Sequence, residues 1–69
     1  MTKKQQAERD LAAVQLAQAL IRNFGLVRAY RMTCILAISN MVFDFAREHG
    51  FTDDAVYAAA DIIEREFDK

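Results

Sequence analysis

The sequence has no proline, two glycines, one cysteine, one histidine and one serine, and each shortage closes off a structure or a chemistry. Cys34 has no second cysteine to pair with, so an intrachain disulfide is excluded. With His49 as the sole histidine, no Cys/His cluster exists to hold structural zinc. The single serine, Ser39, cannot be assembled with His49 into a nucleophile set, and there is no glycine-rich phosphate loop. The longest uncharged run, Met32 to Phe43, is 12 residues, where spanning a bilayer takes about 20. No apolar stretch of signal-peptide length precedes Glu8, Arg9 and Asp10. A lone cysteine fits a reducing compartment. These absences predict a soluble, cytoplasmic, non-enzymatic protein that needs no cofactor and no metal.

What is present is helix-forming. Alanine, leucine, arginine, glutamine and glutamate dominate, and with breakers only at Gly25 and Gly50 the chain reads as a single all-α domain over 1–69. At 69 residues such a chain buries only about 60% of its unfolded surface, and small domains of this kind usually need a staple. Disulfide and metal being excluded, association is what remains. The 54% apolar content exceeds the usual value of about 45–50%, although twelve alanines add little core volume.

The glycines divide the chain into three predicted helices, about 4–23, 26–49 and 53–67. In the first, Leu11, Val14, Ala17 and Ile21 line one edge of an apolar face that Ala13, Leu16, Leu20 and Phe24 extend. Gly25 suits the left-handed position that closes a helix, with Asn23 as an alternative cap for the next one. The preferred arrangement is a tight hairpin with a link of two to four residues; the competing one is a single bent helix running on to His49. In the second segment Val27, Tyr30, Cys34, Ile35, Ile38, Met41, Val42 and Phe45 form a wide apolar face. Met32, Leu36 and Phe43 lie roughly opposite. A helix apolar on two sides has more neighbours than a small monomer supplies, so Met32, Leu36 and Phe43 are the expected homodimer interface. The third helix has Thr52 as N-cap, Asp53 and Asp54 in its first turn, and Phe51 placed to staple onto Val56. The predicted fold is therefore a helical hairpin of two long helices plus a shorter third, assembled as a homodimeric helix bundle.

Charge is unevenly placed. Residues 1–50 carry seven Lys/Arg against four Asp/Glu, and residues 51–69 carry two against six. Such asymmetry can orient one molecule on another. Arg22, Arg28 and Arg31, interleaved with Phe24 and Tyr30, make a basic patch. Arg and Tyr are favoured at interface anchors, so Arg22, Arg28, Tyr30 and Arg31 are the expected partner-binding residues. His49 sits in a helix's last turn, where the macrodipole alone accounts for it, without the Glu-x-x-His spacing of a bundle metal site. Cys34 reads as a small core residue.

The expected function is a non-enzymatic protein-binding regulator of the inhibitor, anti-activator or adaptor type, a class that includes small phage- and mobile-element-encoded helical chains. It would dock as a homodimer on a larger protein, by occlusion or by shifting a population. The alternative is a nucleic-acid-binding transcriptional regulator using the basic turn 22–31. Against it, the third helix, where a major-groove reader would sit, is acidic and repels phosphate.

Overall fold

The computed structural model describes residues 2–34 and 37–69. Four helices follow in order: α1 (Lys3–Phe24), α2 (Leu26–Met32), α3 (Asn40–Glu48) and α4 (Asp53–Phe67). Among the described residues there is no strand, and no helix is long and apolar enough to cross a membrane.

α1 starts on a reciprocal cap. The Gln5 N–H donates to Thr2 Oγ1 (3.2 Å) while the Thr2 N–H donates to Gln5 Oε1 (3.1 Å). Two amides that the helix cannot satisfy internally are thereby paired. The helix ends at Gly25, whose φ of 86° and ψ of 156° lie in a region open essentially to glycine alone. The Gly25 N–H donates to the Ile21 carbonyl (2.7 Å), and its own carbonyl accepts from the Ala29 N–H (2.8 Å). One residue thus closes α1 and opens α2. The expected loop shrinks to that residue, and the helix does break there, so a single bent helix is not formed. Asn23 does not cap α2; its Nδ2 donates back to the Ala19 carbonyl at 2.7 Å. A Cβ at Gly25 would meet no atom within 4 Å, so the demand for glycine is conformational. Gly25→Ala is expected to lower stability by about 1–3 kcal/mol, read as a lower denaturant midpoint at unchanged slope. An unchanged midpoint would show that the junction tolerates a side chain.

The predicted helix 26–49 is two helices, and this is the main correction to the sequence reading. Thr33, which closes α2, is buried, and its Oγ1 donates to the Ala29 carbonyl (2.8 Å). Its N–H is shared between the carbonyls of Ala29 (3.0 Å) and Tyr30 (3.3 Å). Hydroxyl back-bonding of this kind competes with helix propagation, and the β-branched Thr33 and Ile38 further disfavour it. The Ser39 N–H then donates to the Met32 carbonyl (2.9 Å), closing the connection. Ser39 also caps α3, its Oγ accepting from the Met41 N–H at 3.2 Å. A serine read as mid-helix is therefore a helix start.

α3 ends in a complete Schellman motif. The Phe51 N–H donates to Ala46 O (2.8 Å) and the Gly50 N–H to Arg47 O (3.1 Å), with Gly50 at φ 79°. Thr52 then caps α4 by accepting the Ala55 N–H at 3.3 Å, and Asp53 and Asp54 occupy the positive end of the dipole.

α4 is the element on which the others assemble: α1 packs most extensively against it, and α2 and α3 also pack on it. Val14 and Ile62 border two adjoining hollows between α1 and α4, one also lined by Asp10 and Ala58 and the other by Ile21 and Glu66. α3 runs antiparallel to α4, bringing Phe43 to Tyr57 and Arg47 to Asp53. The long pairing is thus α1 with α4, not a hairpin of adjacent long helices. The core comprises Leu16, Ala17, Leu20, Ala29, Val42, Ala46, Ala55, Val56, Ala59 and Ile63. Half of these are alanines, which lets the helices approach closely.

Candidate interaction surface

The junction between α1 and α2 presents a cationic end. Arg22 lies in the last turn of α1 and Arg31 in the last turn of α2, each placed to complement the negative end of its helix. Arg28 lies between them in sequence, its guanidinium carbon 6.0 Å above the Phe24 ring. Phe24 in turn meets the Phe45 ring edge-on at 5.8 Å, which ties this end of α1 to α3. All three arginines are exposed. The salt bridges among the described residues are Arg47–Asp53, Arg65–Asp61 and Lys69–Glu66, so none of the three has a carboxylate partner within 4.0 Å. Val27, apolar and 54% exposed, sits on the same short helix. Exposed guanidinium groups beside apolar surface suit a carboxylate-bearing partner, because each can form paired, charge-assisted hydrogen bonds.

Tyr30, expected with the arginines, is placed differently. Its ring stacks on Phe67 with centroids 4.0 Å apart and planes 5° from parallel, and the residue is half-buried. It fastens α2 to the last turn of α4 rather than standing out as an anchor.

The residues of the expected dimer strip do not share a helix. Met32 ends α2 and Phe43 lies in α3; both are half-buried and pack against the chain's own core, Phe43 also meeting Tyr57 edge-on at 5.9 Å. Leu36 lies outside the described residues. With the helix interrupted at Thr33, the register that aligned Met32 with Phe43 is gone. The same interruption moves Cys34 out of the apolar face, and its side chain is exposed.

A polar hollow of about 440 Å³ lies between α3 and α4, lined by Asn40, Phe43, Asp44, Arg47, Asp53 and Tyr57. Its charges are already engaged: Arg47 pairs with Asp53 at 3.3 Å and lies 6.0 Å over the Phe43 ring. His49 is likewise occupied. Its Nδ1 is 2.8 Å from the Phe45 carbonyl, which requires the proton on that nitrogen, and its ring stacks on Phe45. Among the described residues no group of three His, Cys, Asp or Glu side chains is placed to hold a metal ion.

Sequence reasoning missed one surface. Leu11 and Val14, assigned to the apolar edge of the first helix, are 59% and 40% exposed. A wheel of about 100° per residue places Leu11 about 180° from Leu20, which is the signal that separates them. No protein-family model, curated protein or solved structure matches this chain.

Proposed function

We propose that this chain is a non-enzymatic protein-binding regulator that acts as a small helical homodimer and docks on an acidic surface of a larger protein. The observation that carries the reading is the cationic end. Arg22, Arg28 and Arg31 are exposed and lack carboxylate partners in a chain that holds six Asp/Glu within residues 51–69 alone. Cations left unpaired despite so many carboxylates are available to another molecule. Arg is among the residues that dominate interface energetics, and the exposed Val27 beside them supplies area that excludes water around the contact. Regulation would follow from occluding the partner's own surface or from favouring one of its states.

Arginines also neutralise phosphates, so the test has to separate protein from nucleic acid. A tagged chain would be used to capture material from source-cell lysate with and without nuclease, alongside an R28E/R31E variant. One larger protein retained stoichiometrically after nuclease by the wild type, and lost by a variant with unchanged thermal melt, is the expected result. Recovery of the chain alone would overturn the docking reading. Material that vanishes with nuclease would replace it with nucleic-acid binding. Full retention by the variant would remove the arginine end as the docking surface.

A further inference from the structure

α1 carries two apolar stripes: one is buried in the bundle, and of the second only Ile21 packs against the chain's own core. Ala13, Leu16, Ala17 and Leu20 are buried in the bundle. The second runs along Ala7, Leu11, Val14, Gln18 and Ile21, spaced 4-3-4-3 along the sequence, with the polar Gln18 as its one exception. That is the a/d spacing of a coiled-coil seam, which a helix presents to another helix. Ala7, Leu11, Val14 and Gln18 are exposed and Ile21 is half-buried. The stripe continues sideways onto α4, where Ala58 and Ile62 line two adjoining hollows that share Val14 and Ile62.

The accessible area agrees that a surface is left over. The chain exposes 4927 Å², whereas a compact monomer of 7.9 kDa exposes about 4400 Å².

We infer that this stripe is the dimer seam, with α1 packed antiparallel on α1 of a second copy about a two-fold axis at Val14. The inference rests on the homodimer part of the proposed function and moves its interface away from Met32, Leu36 and Phe43. Two features select this occupant and direction. Pairing by a two-fold at position 14 brings Ala7 opposite Ile21 of the second copy, a small residue against a large one, at each end of the seam. It also sets Glu8, about 9 Å from the axis, near Arg22 of the second copy, about 12 Å along at 1.5 Å per residue. Aligned in parallel, Ala7 would face Ala7 and Ile21 would face Ile21, and Glu8 and Arg22 would lie about 21 Å apart along the seam, so neither match forms. The antiparallel dimer leaves an Arg28/Arg31 surface at each end for the larger partner.

The test combines mass and cross-linking on the full chain. The wild type should sediment at twice 7.9 kDa, and L11E/V14E at the monomer mass with its helical circular dichroism retained, since both side chains are exposed in the single chain. In a C34S background, A7C and I21C chains mixed and oxidised should cross-link to each other, while A7C alone should not. A wild-type monomer at all concentrations would remove the homodimer and the seam together, leaving the docking reading to its own capture test. A dimer that survives L11E/V14E, or an M32E/F43E variant that alone becomes a folded monomer, would overturn the seam and keep the homodimer. A7C cross-linking to itself would overturn the antiparallel direction.

Discussion

Leu20→Ala should lower the melting temperature by about 10–25 °C and leave much of the chain unfolded under mild heating. Leu20 is fully buried, one of five large side chains sealed from solvent, the others being Leu16, Ile63, Val42 and Val56. The remaining members of the core are alanines, which have no rotamers with which to fill a void. Truncating a buried leucine costs about 2–5 kcal/mol, the larger values arising where surroundings cannot collapse into the cavity. A domain of this length has about 3.5–10 kcal/mol of stability in total, so one substitution removes a large fraction. For domains of 60–100 residues each kcal/mol moves the midpoint by about 4–8 °C. Thermal and urea melts of the variant measure this directly. A shift of only a few degrees would mean that Leu20 is not at the centre of the core. Leu11→Ala provides the contrast. At an exposed site its effect should appear only as a change in the concentration dependence of the melt, through the proposed dimer.

How much of this was legible beforehand varies along the chain, for identifiable reasons. α4 was readable because its start is written in local chemistry: Thr52, the two aspartates and the apolar Phe51 all act within one turn. The all-helical class followed from what is absent, and Gly25 marked the end of α1. The capping box of Thr2 and Gln5 was equally local and went unused. The break between α2 and α3 was harder to see, because no glycine or proline marks it and the apolar pattern of 26–49 keeps helical period throughout. Its signals are weaker ones, Thr33 bonding back to Ala29 and Ser39 capping forward to Met41. Either is compatible with a continuous helix when taken alone.

The candidate site shows the same division. The arginines were identifiable by type and spacing, and all three are exposed. That Tyr30 would turn away to stack on Phe67, 37 positions along the chain, depends on where α4 sits and has no local signature. Once the helix is interrupted, Met32 and Phe43 acquire partners inside the chain, and the surplus apolar surface shifts to α1. Small helical domains distribute a fixed stock of apolar residues between core and surface, so an interruption in one helix changes which apolar residues another leaves exposed.

Ala59→Leu is the complementary expectation, in which adding atoms does the damage. Ala59 is fully buried, and so, to within 2%, are Ala55 and Ala60 on the same helix and Ala13 and Ala17 on α1. Helices whose contact surfaces are alanine approach toward the short end of the usual separation of about 8–10 Å. A leucine at position 59 must push α4 away from its neighbours or adopt a strained rotamer, at a cost of about 1–3 kcal/mol and occasionally more. Because α1, α2 and α3 all pack on α4, displacement there loosens every contact at once. The variant is therefore expected to show faster amide exchange in α1 and α3 as well as a lower melting point. Ala58→Leu, one residue earlier, adds the same atoms where the half-buried Ala58 borders an open hollow with Val14 and Ile62, and should change the stability of the single chain by about 1 kcal/mol or less. Equal melting points for the two variants would show that the α4 interface is not closely packed. Ala59 as the disruptive member of the pair would establish that small side chains, rather than a large hydrophobic core, hold this fold together.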